Sequence, residues 1–266
     1  MWTDDLFGNQ KPVIGMVHIQ ALPGTVLYDG KAGLESVLAN ARQDYESLAE
    51  GGISGVIFCN EFDKPYSMGA ESHIVASMTH IIDEVRRGAK DIPFGVDIQW
   101  DPKAALAVAR ATGASFIRGI VCGTYCGDYG LLTPDTEGIL AYRHKIGADA
   151  VKILTNLVPE FSSSLDTRDI CLRARTAVKS SLVEGLCVSG VMAGTRTPYE
   201  QLRSVKECVR EAAVFANTGV DFDSVAEILR IADGCCVATC LKKDAVPANR
   251  IDAENVKRLM EKARKA

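Results

Sequence analysis

Residues 216–241 read ANTGVDFDSVAEILRIADGCCVATCL. The apolar run AAVFA (212–216) leads into Asn217-Thr218-Gly219, an amphipathic stretch follows, and a second apolar run, GCCV, leads into Ala238-Thr239. Short runs this uniformly apolar read as strands buried on both faces, as in a parallel sheet. The intervening stretch carries its apolar residues at helical spacing. The segment is therefore strand, helix, strand, with two strand ends built of small residues that carry exposed amides and a hydroxyl.

The same pattern extends outward to both termini. Apolar runs occur at 12–18, 53–59, 92–98, 114–121, 148–154, 184–190, 212–218 and 233–239, each followed by an amphipathic or loop segment. Eight such pairs in 266 residues with 47% hydrophobic content match an α/β chain folded as a (β/α)8 TIM barrel, and no Ser-, Gly- or Pro-rich linker divides it. The expectation is one barrel domain over residues 1–266. An open doubly wound sheet is the alternative. It is disfavoured because the first run leads into MVHIQALPG rather than a GxGxxG turn.

Helix boundaries are also written in the sequence. GLESVLANARQDYESLAEGG stops at a glycine pair, Asp101-Pro102 reads as N-cap and first helical residue, and Thr197-Pro198 with Glu200 reads as a capping box. Thr133-Pro134-Asp135 repeats the cap-then-proline arrangement, and IDAENVKRLMEKARKA is a closing helix.

Composition excludes several classes of function. A formal charge of -4 with interspersed signs offers no basic stripe for nucleic acid. No apolar run is long enough for a transmembrane segment, and the acidic start MWTDDLFGNQKP lacks a signal-peptide pattern, so a cytoplasmic, unprocessed protein is expected. Nine cysteines without paired C-x-x-C knuckles read as reduced thiols, those at 235 and 236 as small core residues. A homo-oligomer stays open.

In such a barrel, chemistry gathers where strands end. Asp97 and Lys152 are charged residues inside apolar runs, so each must face a polar centre or pair with an opposite charge. They read either as a buried ion pair, with Arg118 taking part, or as an acid and base pair in which Lys152 donates a proton or forms a Schiff base. His18 is a structural histidine or a substrate contact; Asp101 is a cap or a group orienting hydroxyls. Glu61, in FCNEFDKPY, reads as a general base, or joins Asp97 and His18 around a divalent metal such as Mg or Mn. No other cofactor is indicated. The loops after the last three strands offer a phosphate site: Gly190, Gly194 and Thr195 after the sixth, Asn217, Thr218 and Gly219 after the seventh, Ala238 and Thr239 after the eighth.

IGMVHIQALPG, the NEF of FCNEFDKPY, PFGVDIQWDP, ATGASFIR, LVPE, RDIC, LCVSGVMAGTRT, ANTGV and ADGCCVATCLKKD together resemble the BtpA/SgcQ family, most closely its SgcQ branch. The resemblance implies a barrel of the ribulose-phosphate-binding type, a cytosolic setting and a link to sugar uptake and sugar-phosphate metabolism. The chain departs from the wider pattern at Cys59, where a carboxylate is expected, and at Asn156 and Val158, where Asp and His are expected. The combined expectation is an enzyme acting on a small phosphorylated sugar by proton transfer beside a carbonyl: an isomerase, an epimerase or an aldolase-like lyase. A non-catalytic assembly factor and a metal-assisted phosphate hydrolase are the alternatives.

Overall fold

The computed structural model describes residues 1–190, 192 and 194–266; Val191 and Ala193 of the SGVMAGTRTP loop lie outside the described residues. Its frame is a closed barrel of eight parallel strands: β1 (Val13–His18), β2 (Gly55–Cys59), β3 (Phe94–Asp97), β4 (Phe116–Gly119), β7 (Lys152–Val158), β9 (Gly185–Val188), β10 (Ala213–Ala216) and β11 (Gly234–Val237). The sheet closes through β1 and β11, where Val13 is in register with Cys235. The crossover helices are α2 (Gly33–Glu50), α3 (Ser72–Arg86), α4 (Pro102–Thr112), α5 (Thr136–Lys145), α6 (Ile170–Lys179), α7 (Tyr199–Cys208), α8 (Val225–Ile231) and α9 (Ala253–Ala263). Each packs an apolar stripe on the barrel; in α9 it is Val256, Leu259, Met260 and Ala263, at helical spacing. The barrel expectation holds, and no helix among the described residues is long and apolar enough to cross a membrane.

Inside the barrel, large residues face absent ones. A Cβ on Gly95 would lie 2.4 Å from the Phe116 ring, and one on Gly234 would lie 2.4 Å from the Phe215 ring. Glycine at these inward positions is what lets the two phenyl rings fill the interior. A short N-terminal helix, α1 (Trp2–Phe7), then plugs the amino end of the barrel. Trp2 lies against Phe116 and Phe215 with centroids 5.7 and 6.4 Å away, and its indole N–H donates to the Glu184 carbonyl at 2.9 Å.

The structure corrects several boundaries. The fifth barrel strand was expected at 148–154 and lies at Lys152–Val158. Residues 146–151 instead close α5 through a turn, with Ala148 N donating to Arg143 O and Gly147 at φ +66°. Thr155 and Asn156, polar enough to read as loop, are buried strand residues; the Thr155 hydroxyl accepts from Val121 N. Asp135, rather than Thr133, caps α5 by accepting from Gly138 N. Thr197 does not cap α7: its hydroxyl donates to the carbonyls of Val188 and Thr218, stitching two strand ends together. Asp101 caps α4 as expected, and at α2 it is Gly52, at φ +79°, that takes the left-handed conformation. All nine cysteines are free thiols.

A small antiparallel sheet was not expected. β5 (Tyr125–Gly127), β6 (Gly130–Leu132) and β8 (Ser162–Ser164) come from the loops after β4 and β7 and sit over the carboxyl end of the barrel. The turn between β5 and β6 carries Tyr129 across to Tyr66 and Trp100, with ring centroids 5.7 and 5.6 Å away.

Candidate active site

Inward positions at the carboxyl ends of the strands converge on one polar cluster. Asp97, at the end of β3, is 3% exposed, and Arg118, on β4, is 9% exposed. Arg118 donates to Asp97 Oδ2 through Nε at 2.9 Å and Nη2 at 2.5 Å, and through Nη1 to Asn217 Oδ1 at 2.5 Å. Asn217, just past β10, donates to Glu160 Oε1 at 3.0 Å and to the Ser189 hydroxyl at 3.1 Å. Asn156, on β7, donates to Glu160 Oε2 at 3.3 Å. On the other flank Gln99 Nε2 donates to Cys59 Sγ at 3.3 Å and to Glu61 Oε2 at 3.4 Å, while Lys64 pairs with Glu61 at 3.1 Å.

Electrostatics sets the protonation states. Burial pushes the Asp97 carboxyl above its usual range, and the Arg118 guanidinium only partly opposes this. Glu160 is raised for the same reasons in the same order. At Glu61 burial also works upward, but Lys64 and Arg118, joined by His18 when it is protonated at low pH, outweigh it and hold the group low. Arg118 stays charged, because Asp97 overcomes the desolvation that would lower it. One buried cation is thus shared by Asp97 and Glu160, and both hold their protons more tightly than free carboxyls do.

A cavity of about 70 Å3 opens among these groups, walled by Glu61, Asp97, Arg118, Asn156, Glu160 and Trp100. Two buried polar atoms of its walls, Asn156 Oδ1 and Trp100 Nε1, have no hydrogen-bond partner among the described residues. Native interiors rarely leave such atoms unpaired, and a water or a ligand group completes them. Trp100 at φ +67° and Phe161 at φ +57° flank the same space in the left-handed region, a strain of order 1–3 kcal/mol each that proteins keep at ligand sites.

The structure brings together Asp97 and Glu61 from the expected set and separates the rest. Lys152 is the first residue of β7, in register with Phe116 at the plugged amino end of the barrel. It keeps the inward parity that alternation assigns, yet it lies at the far end of its strand, and Asp97 pairs with Arg118 instead. Asp101 has both carboxylate oxygens on backbone amides, Oδ1 on Ala104 N and Oδ2 on Ala70 N, so its role is to cap α4 and fasten the loop after β2. His18 sits behind Glu61; burial lowers its pKa to about 4, leaving it neutral, and its Nδ1 is unpartnered among the described residues. Among the described residues no three His, Cys, Asp or Glu side chains are grouped to hold a metal ion.

The expected phosphate residues divide likewise. Gly190 N donates to the Thr218 hydroxyl, which donates to Thr195 O, and the Thr195 hydroxyl bonds Met192. These groups lock the loops after β9 and β10 to each other. Gly219 is left-handed at φ +62°, and a Cβ there would lie 2.3 Å from the Thr195 carbonyl, so the glycine serves that close approach. Asn217 belongs to the carboxylate network. Gly194 is exposed, at φ +82°. Ala238 leads into a single 3-10 turn, Thr239–Leu241. The amides of Gly219 and Thr239 donate to none of the described residues.

Sequence reasoning missed Glu160, Tyr66 and Trp100 and treated Arg118 only as a partner in an ion pair. Glu160 was hidden by the misplaced strand: with β7 ending at Val158, Pro159-Glu160 is the strand end itself.

Comparison with known proteins bears on the same chain. The BtpA family model matches residues 9–265. The sgc region protein SgcQ of Escherichia coli K12 is 43% identical over 98% of this chain and 97% of its own length. The photosystem I biogenesis protein BtpA of Synechocystis is 30% identical over 96% of this chain and 88% of its own. Among solved structures, thiamine phosphate pyrophosphorylase from Pyrococcus furiosus superposes with a TM-score of 0.58 at 16% identity, covering 97% of this chain and 98% of that one, a likeness of fold.

Proposed function

The chain belongs to the BtpA family, and from that premise we propose that it is an enzyme moving a proton beside the carbonyl of a small phosphorylated sugar, with Glu160 carrying the proton. The observation that supports this reading is the charge balance of the cluster: beside a single cavity, the buried Arg118 pairs with Asp97 and reaches Glu160 through Asn217, so two carboxyls share one guanidinium. A carboxyl whose pKa is raised by burial is a stronger base than a free one, which suits it to taking up and returning a proton.

In this reading Glu160 takes a proton from the carbon next to the carbonyl. The C–H electron pair moves into a carbon–carbon double bond, and the carbonyl electrons move onto oxygen. Arg118, held in place by Asp97, faces the cavity and stabilises that developing negative charge. Asn156 and Trp100 bind substrate hydroxyls through their unpaired atoms. Glu160 then returns the proton to the neighbouring carbon while the hydroxyl proton of the first carbon passes to the former carbonyl oxygen, giving isomerisation; epimerisation instead takes a proton delivered to the opposite face of the same carbon, a role that falls to the Asp97 carboxyl across the cavity. A Schiff-base lyase through Lys152 loses its support, since that amine sits at the opposite end of β7. The phosphate falls to the Gly219 and Thr239 amides and the Thr239 hydroxyl, a smaller set than the eight residues first considered.

The test is solvent deuterium uptake, followed by NMR, across a panel of ketose and aldose monophosphates. Wild-type protein exchanges one substrate C–H, and Glu160→Gln slows exchange by roughly 10²–10⁴-fold while remaining folded. Exchange that persists in Glu160→Gln overturns the assignment. Absence of exchange with every sugar phosphate, with assembly function intact in Glu160→Gln, favours a role like that named for the Synechocystis relative.

A further inference from the structure

The cavity beside Glu160, at about 70 Å3, is small. At the roughly 30 Å3 that each water takes up in the liquid it holds about two, too few for a sugar and its phosphate. A second cavity of about 170 Å3 opens directly beside it, between the loops that follow β1 and β2 and the start of α3. Tyr66 and Gln99 line both spaces, so the two adjoin. These two residues are tied to the reaction end: the Tyr66 hydroxyl donates to the Glu61 carbonyl at 2.8 Å, and Gln99 Nε2 reaches the Glu61 carboxylate.

The lining of the second cavity selects its occupant. Its charged and titratable members are Asp63, Glu71, His73 and Tyr66, with no lysine or arginine among them. Asp63 is 8% exposed and holds the wall together, accepting from Leu22 N at 2.8 Å and from Asn60 Nδ2 at 2.9 Å. A phosphate placed here would meet two carboxylates without a fixed cation, and like charges disfavour it. An uncharged polyol instead meets side-chain acceptors, the Gln99 amide and the flank of an aromatic ring.

We infer that this second cavity is a subsite for the uncharged, hydroxyl-bearing end of a sugar whose reacting end lies in the first. The link to a reacting carbon rests on the function proposed above; the subsite itself rests on the cavity and its lining. Tyr66 and Gln99 then act as specificity residues, bridging the reacting end and the polyol end.

The experiment uses the intact protein, D-fructose as neutral probe and inorganic phosphate as anionic probe, with binding followed by NMR. Ser67→Trp and Val26→Trp fill the cavity from the loops after β2 and β1; both residues are exposed, which keeps the fold independent of the change. Wild-type protein is expected to bind fructose in the millimolar range, and either tryptophan to weaken it at least about tenfold while phosphate affinity stays constant. Fructose binding unchanged in both variants, or absent from wild-type protein that binds phosphate, overturns the subsite. Fructose bound and blocked by tryptophan, with no phosphate binding, upholds the subsite and removes the phosphate arm of the proposed function.

Discussion

Arg118→Met tests the charge logic of the site most directly. Methionine keeps the apolar stem and removes three hydrogen bonds, two to Asp97 and one to Asn217. Asp97, 3% exposed, is left as a buried carboxylate without its cation, and Glu160 loses the same attraction. Breaking one side of a buried pair costs about 3–5 kcal/mol. For a chain of this size that is a fall in Tm of about 6–20 °C, at about 2–4 °C per kcal/mol. The sign of the pH dependence follows from the raised carboxyls. In the unfolded chain Asp97 ionises near pH 4, whereas in the folded variant it holds its proton to a higher pH than in wild type. Between those limits the folded state binds more protons, so stability falls as pH rises and recovers as pH drops toward 4. Urea unfolding at pH 5 and pH 8 should therefore show the larger loss at pH 8. The double variant Asp97→Asn, Arg118→Met removes both charges and should recover most of it. A loss in Arg118→Met below about 1 kcal/mol, equal losses at the two pH values, or a double variant as weak as the sum of the singles would refute the reasoning.

Three further outcomes follow from the fold and the site. Trp2→Ala should cost about 3 kcal/mol by unplugging the barrel floor beneath Phe116 and Phe215, read as a calorimetric Tm shift, with ligand binding at the far end preserved. Lys152→Met should leave both stability, within about 0.5 kcal/mol, and turnover unchanged, and borohydride with substrate should trap no adduct; loss of turnover would return the amine to the mechanism. Asp101→Ala should cost about 1–2 kcal/mol through the lost cap on Ala104 and the freed loop at Ala70, measured by urea unfolding, with KM affected more than kcat.

How far the site could be read in advance varies with the kind of information each residue carries. Asp97 and Glu61 were found because a charge inside or just past an apolar run has few innocent explanations. Asp101 was correctly seen as a cap because Asp-Pro before a helical pattern is a local signal. Glu160, by contrast, follows a strand whose polar middle, Thr155-Asn156, is compatible with a strand only because neighbouring strands and loops supply hydrogen bonds there. The small sheet of β5, β6 and β8 escaped notice because its strands are three residues each and β8 joins β5 across a long sequence gap, leaving no period to detect.

The sequence alone determined the strand and helix alternation, the closed barrel it implies, the inward parity of Asp97, Lys152 and Asn156, and the family. Burial of apolar runs and residue-by-residue alternation are local, and they survive translation into any register. Only the tertiary structure decided height along the barrel axis. Parity says that a side chain points inward; strand registration and closure decide which inward side chains meet. That is why Lys152 ends at the floor with Phe116 and Trp2, why Arg118 takes its place beside Asp97, and why Asn217, from the stretch that revealed the fold, bonds Glu160 rather than waiting at the rim for a phosphate.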